Sequence, residues 1–503
     1  MTRLTRLRLP SLESIKKHIQ ESPTNFRLLY KIFIDESPIK SKEGDPKRRS
    51  ISFNNNSKKT PDSDVDRHIK SLLKTAAKQH HENNVKDLHC TIQLMNKTIK
   101  TYGSAGRKLA MRGDAPGLLL YFQSSYEQEQ HLSGDIRETL NLLGYHHPPS
   151  GSRGLRILSI DGGGMRGIVG IEVLRSLEEF TGKPIYELFD FICGVSTGAI
   201  LASFIGFEKK PLTEVEHTYQ SIGFKVFNQN VLEGAKGYLF NHAYYDTKLY
   251  EKILKEFVGE TLTWDTCRDP RTPKVALVST IVNEMRMAPF VFRNYTFPPG
   301  ITSNYKGSTE YPIWAAVRAS SAAPGYFDEI MLHDTIHLDG GILTNNASQI
   351  AIHEARKVWP NRSIQCVVSL GLGRYDPLNF SSKKLKSLSL AQKFSRIVDS
   401  ATDTELVHET LNDLLPGHIY YRFNPYLSEY IQIDETRPEK MALLKEDSHM
   451  YTRRNFNKIM DVCIELNKAG LWFTFFKDTV LRQWTISRAL YRYVLLRFKN
   501  QIN

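Results

Sequence analysis

Cysteine is scarce and follows no pairing pattern. The five residues (Cys90, Cys193, Cys267, Cys366 and Cys463) are odd in number, far apart and free of any C-x-x-C pair. That excludes a disulfide-stapled scaffold and a zinc site of ordinary spacing, and it makes a reducing compartment the expectation. Long apolar runs are missing as well. The longest uncharged stretch, residues 191–207 ("FICGVSTGAILASFIGF"), is at the short edge of what crosses a bilayer, and its Gly, Ser and Thr fall in strand-turn-helix order. The N-terminus "MTRLTRLRLPSLESIKKH" has no apolar core of a secretory signal; it is Arg-rich and acid-poor like a transit peptide, but Pro10 and Glu13 interrupt any amphipathic helix there. With neither an EF-hand loop nor an H-E-x-x-H motif, no metal and no cofactor are expected, and turnover should not need calcium.

Acidic residues run short only at the two ends. The net charge is +13, and residues 1–60 hold fourteen Lys/Arg against six Asp/Glu while residues 470–503 hold six against one, so the ends carry the entire excess. A neutral middle disfavours a basic nucleic-acid cleft, and no nucleic-acid partner is expected. Basic ends suit docking on an anionic phospholipid membrane, or are solvated tails of no special role. Nothing points to a protein partner.

What is present is ample apolar material, 41% of 503 residues, enough for two or three domains. Residues 1–64 read as a basic, largely disordered region, because about 38–64 is polar and poor in large apolar side chains; "RRSIS" within it fits a basophilic phosphorylation pattern. Residues 65–148 alternate helical patterns with turns, ending in a helix with Ile136, Leu140 and Leu143 on one face. From Leu155, strand-like runs (LRILSI, DFICGV, KVALVSTIV, IHLD, QCVVSLG) alternate with helical stretches. The expected fold is therefore α/β, a central and mainly parallel sheet with helices on both faces, preceded by the small helical domain. Its core spans 155–351, the rest of the catalytic domain 352–430, and a helical basic and aromatic segment 431–503. In that last segment Trp472, Phe475, Phe476, Trp484, Tyr491 and Tyr493 interleave with Arg482, Arg488, Arg492, Arg497 and Lys499, as in an interfacial helix, or as in a terminal helix whose aromatics pack on the protein.

The chemistry concentrates at three places. Residues 191–198, "FICGVSTG", run from an apolar strand into the only G-x-S-x-G of the chain, with a small-residue helical stretch behind it. That is the elbow a nucleophilic serine needs: Gly194 and Gly198 lack a Cβ, so the turn is tight and Ser196 is exposed. A serine needs a base. Asp339, at the C-terminal end of "TIHLD" and followed by Gly340 and Gly341, sits on the edge where open α/β sheets build their sites. The third place is "SIDGGGMRG". Gly162, Gly163, Gly164, Met165, Arg166 and Gly167 follow a strand and open a helix, so their amides suit an anion; Asp161 is expected to brace the loop. Residues 162–167 also fit G-x-G-x-x-G, but a dinucleotide fold would need an acidic residue ending the second strand, where this chain has Gly194-Val195-Ser196. An oxyanion hole for acyl transfer is the better fit.

These blocks resemble the signatures of patatin-like phospholipases: "DGGGMRG", "GVSTG" and the "DGG" at 339–341. The surrounding text, "LFDFICGVSTGAILA", "VSTIVN", "FVFRNY", "RASSAAPGYF", "SATDTELVH" and "RFNP", resembles the calcium-independent phospholipase A2 gamma type, over roughly residues 65–450. The resemblance implies a patatin fold, a Ser-Asp dyad without histidine, an acyl-enzyme, and glycerophospholipid substrates on intracellular membranes, with the mitochondrion or endoplasmic reticulum as candidate sites. Leu372 and Ala347 depart from the family pattern, the latter replacing a proline, which puts local loop geometry in question but not the dyad. The terminal Gln-Ile-Asn is not a peroxisomal tripeptide, so import by that route is not expected. Other readings stay open at this point. His353, His408 or His418 could complete a Ser-His-Asp triad; the glycine loop could serve a nucleotide-binding regulator; or the chain could be a silent lipid-surface module.

Overall fold

The computed structural model describes residues 61–147, 149, 152–228, 244–375, 401–470 and 472–502. The expected disordered region, with its RRSIS pattern, lies outside the described residues up to Thr60.

Among the described residues, four helices come first: α1 (Pro61–His81), α2 (Val85–Arg112), α3 (Ala115–Ser125) and α4 (Gln130–Leu142). The start of α2 is capped by Asn84, whose side-chain oxygen accepts the Asp87 N–H. Pro116 stands in the first turn of α3, where its missing N–H costs nothing. The helices share a core that includes Leu73, Ile92, Leu119, Phe122 and Ile136, and Trp264 from far along the chain enters it. Residues Lys59–Asn503 form one compact unit.

Nine strands among the described residues then build one sheet. They are β1 (Leu155–Ile160), β2 (Phe191–Val195), β3 (Lys274–Ile281), β4 (Ala288–Arg293), β5 (Lys306–Ser308), β6 (Ile330–Leu332), β7 (Thr335–Asp339), β8 (Ile364–Leu370) and β9 (Tyr420–Phe423). The order is β5-β4-β3-β2-β1-β8-β9, parallel from β3 to β9, with β4 and β7 antiparallel to β3 and β6 paired to β7. The five strand-like runs read from the sequence are β1, β2, β3, β7 and β8. The four others are short or lie beyond a hairpin, and their apolar patterns are too brief to stand out.

Among the described residues, the helices of six or more residues that follow β1 are α5 (Gly167–Thr181), α6 (Thr197–Ala202, continued by a π-turn to Phe207), α7 (Leu212–Phe227), α8 (Thr247–Val258), α9 (Ile313–Ser320), α10 (Ser348–Val358), α11 (Ala401–Leu414), α12 (Pro438–Arg454), α13 (Phe456–Asn467) and α14 (Trp472–Ile502). The alternation of β1 sorts them onto two faces. Leu158 and Ile160 point into a core shared with α5 to α9 and with α12 and α13, while Leu155 and Ile157 point into a second core with α10 and α11. A mainly parallel sheet covered on both faces is the α/β architecture that the sequence led us to expect.

One detail of register positions the site. Along one edge of β3, β2 runs out at Val195, opposite Val278. The next β3 residue, Ser279, is already paired with Asp339 of β7, which arrives from the other direction. β2 and β7 therefore meet end to end on the same edge, and the residue after Val195 faces the last residue of β7.

Candidate active site

That residue is Ser196. It turns the chain from β2 into α6 at φ 53°, ψ −118°, a conformation costing a side-chain-bearing residue about 1–3 kcal/mol. The flanking glycines are required by contact: a Cβ on Gly194 would overlap the Gly198 carbonyl, and one on Gly198 would overlap the Ile160 carbonyl at the end of β1. The turn is pinned from outside as well. The Ser196 N–H donates to Ser320 Oγ at 2.9 Å, and that hydroxyl donates to the Val278 carbonyl at 2.5 Å.

The Ser196 hydroxyl donates to Asp339 Oδ2 at 2.6 Å. The other oxygen, Oδ1, accepts the Gly341 N–H at 2.7 Å, and Gly340 donates its N–H to the Ser320 carbonyl at 3.1 Å. Asp339 is fully buried. Burial pushes its carboxyl up to about 7, against the opposing pull of the Ser196 hydroxyl and the Gly341 N–H. A buried carboxylate balanced near neutrality can take a proton and give it back.

The glycine loop lies on the other side of Ser196. Asp161 directly follows β1 and forms a buried ion pair with Arg422 of β9, Oδ2 to Nη2 at 2.7 Å, while Arg422 Nη1 donates to Ser369 Oγ. Burial raises the Asp161 carboxyl to about 6 despite that partner. Not every loop amide is open. Gly162 donates to Asn345 Oδ1 at 3.0 Å, Met165 to the Ile433 carbonyl at 2.7 Å, and Gly167 to the Gly164 carbonyl. The amides of Gly163 and Gly164 have no acceptor among the described residues, and Gly164 reaches its orientation through φ +55°. The Arg166 side chain turns back, Nε to the Gly163 carbonyl at 3.1 Å and Nη1 to the Tyr375 hydroxyl at 3.3 Å. Leu372, one of the departures from the family pattern, packs behind the loop against Gly163 and Gly170.

Gly163, Gly164 and Ser196 open on a common cleft. Ile200, Ile222, Val226, Phe227, Tyr326 and Phe327 make its wall largely apolar. An apolar trough with a hydroxyl nucleophile, a buried carboxylate and two open amides at one end is equipped to hold a hydrocarbon chain and act on the ester at its head.

None of the three histidines considered for a triad meets Ser196 or Asp339. His353 Nε2 takes the Asn304 N–H, the His408 ring lies against Tyr420, and His418 offers its carbonyl to the Tyr421 hydroxyl. His337, two residues before Asp339, is buried between Ser279 and Thr335. Among the described residues no cluster of His, Cys, Asp or Glu is arranged to hold a metal ion, and no helix is long and apolar enough to cross a membrane.

Sequence reasoning missed Asn345, Ser320 and Ile433, which reach the site across long stretches of chain. Only position could have pointed to the first two. Asn345 follows Gly341 by four residues and Ser320 lies inside "RASSAAPGYF".

Comparison with known proteins agrees with this geometry. Residues 158–352 match the patatin-like phospholipase model. The chain is 49% identical over 333 residues to the calcium-independent phospholipase A2-gamma of Rattus norvegicus, covering 66% of this chain and 42% of that protein. To the Homo sapiens protein of the same name it is 48% identical over 336 residues, covering 67% and 43%. Phospholipase A I of Arabidopsis thaliana is 32% identical over 370 residues, covering 62% and 28%. The chain thus spans less than half the length of the relatives it matches. The matched region runs from β1, through the loop and the elbow, to the strand ending at Asp339, and it makes this chain a member of the patatin-like phospholipase family.

Proposed function

We propose that the protein is a phospholipase that hydrolyses fatty acyl esters of membrane glycerophospholipids, releasing a free fatty acid and a lysophospholipid. The observation that carries the proposal is the 2.6 Å contact between Ser196 Oγ and Asp339 Oδ2 at the head of an apolar cleft, beside two open glycine amides. Ser196 Oγ attacks the acyl carbonyl as Asp339 takes its proton, and the oxyanion is received by the Gly163 and Gly164 N–H groups. As the tetrahedral intermediate collapses, Asp339 returns that proton to the departing lysophospholipid alkoxide. Water then attacks the acyl-enzyme with Asp339 again accepting a proton, and the fatty acid leaves with Ser196 restored. No histidine and no metal ion takes part in these steps.

The proposed partner is the lipid surface, with a preference for anionic headgroups carried by the basic ends of the chain. Names of the matched relatives support the substrate class, since each is a phospholipase.

Two measurements test the reading together. A fluorophosphonate should label Ser196, and mass spectrometry of products from mixed phospholipid vesicles should show fatty acid and lysophospholipid appearing in equal amounts. Labelling at another serine, or undiminished turnover by Ser196→Ala, would overturn it.

A further inference from the structure

The amides assigned to the oxyanion belong to a run of three glycines, the backbone with the greatest rotational freedom. A loop left free to rotate would have to be reordered in every turnover, whereas stabilisation of a transition state depends on donors already in place. The peptide between Gly164 and Met165 is gripped at both ends. Its carbonyl accepts from the Tyr219 hydroxyl and from Thr197 Oγ1, the latter at 2.9 Å, and its N–H donates to the Ile433 carbonyl at 2.7 Å. Tyr219 comes from α7, on the helix face that also lines the cleft, and Thr197 directly follows Ser196. Both press against the loop. A Cβ on Gly167 would stand 2.7 Å from the Tyr219 oxygen and 2.6 Å from Thr197 Cγ2.

We infer that Tyr219 is a positioning residue for acyl transfer: with Thr197, its hydroxyl locks the Gly164–Met165 peptide and thereby keeps the Gly163 and Gly164 N–H groups turned into the cleft they share with Ser196. The inference rests on the reading of those two amides as oxyanion donors. Burial holds the Tyr219 phenol well above its usual range, so it remains a donor wherever the protein is folded. Its hydrogen bond goes to backbone, not to the reacting atoms, so it orients without exchanging a proton.

Tyr219→Phe removes the hydroxyl alone. With a soluble short-chain ester, its kcat should fall about tenfold to a hundredfold, less than the loss of an oxyanion donor outright, while KM stays within about twofold. Fluorophosphonate labelling of Ser196 should slow in proportion, and the acid limb of the pH profile should not move. A folded Tyr219→Phe with unchanged kcat, or with a change confined to KM, would overturn the inference and leave Tyr219 as a wall of the cleft. Should that variant not fold, the pair Thr197→Val and Thr197→Ser decides. Activity lost in the first and kept in the second supports the clamp; equal activity overturns it. Failure of the underlying reading would register separately, as turnover surviving in Ser196→Ala.

Discussion

At the scale of the residue, Asp339 carries two roles that conflict. As the proposed base it must be ionised, and burial opposes ionisation by raising its carboxyl from the ordinary 3.8 to about 7. Between those values the folded state holds a proton that the unfolded state has lost, so the contribution of this group to stability is fully present below about pH 4 and is lost as pH rises through 7. Activity runs the other way: kcat/KM should fall about tenfold per unit as pH drops below 7, because the base is protonated. Asp339→Asn separates the two. Its amide oxygen can still accept the Gly341 N–H and its NH2 can face Ser196, so at pH 8 it should resist heat or urea better than the wild type, by an amount on the order of a few kcal/mol. Turnover should meanwhile drop by about a thousandfold or more. An Asn variant no more stable than wild type at pH 8 would mean that burial does not strain this carboxylate.

At the scale of the element, the elbow between β2 and α6 lies close against the end of β1 because Gly198 has no Cβ. Gly198→Ala places a methyl group into the Ile160 carbonyl and must push the elbow off β1. The expected cost is about 1–3 kcal/mol in denaturant unfolding, together with slower fluorophosphonate labelling at Ser196, since the Asp339 contact depends on the same turn. Ordinary stability and ordinary labelling in this variant would show that the contact relaxes elsewhere. The elbow is also where the sequence is most readable, because G-x-S-x-G is a local pattern imposed by a local turn. Asp339 was readable for a similar reason: an apolar strand ending in Asp-Gly-Gly announces its own end. Asn345, Ser320, Tyr219 and Ile433 were not. Each acts through hydrogen bonds to backbone far away in sequence, and nothing in composition or spacing says which carbonyl or amide a distant residue will meet. Strand order was equally hidden, for the end-to-end meeting of β2 and β7 arises from register on β3 and not from any residue at the junction.

At the scale of the whole molecule, the C-terminal helix α14 answers part of the question its composition raised. Ile486 and Ala489 are buried against α3, with Gly117 close enough that a Cβ would overlap the Thr485 carbonyl, and Arg488 and Arg492 both pair with Asp114. Leu481 and Tyr491, away from those packed residues, are well exposed. Since Leu481 and Tyr491 take no part in that packing, substituting them tests lipid docking without removing it. Leu481→Ser combined with Tyr491→Ser should lower co-sedimentation with anionic vesicles roughly tenfold at unchanged melting temperature and unchanged hydrolysis of a soluble ester. Vesicle binding equal to wild type would assign the helix to packing alone. The reach of the site along the chain has one more consequence. Its parts run from Asp161 to Ile433, and the carbonyl that accepts the Met165 amide belongs to the last of them. Synthesis proceeds from the N-terminus, so a chain still growing on the ribosome holds Ser196 and Asp339 before the residue whose carbonyl accepts the Met165 amide has been added. On the proposed function, the glycine loop therefore gains its last hold only once translation has passed Ile433.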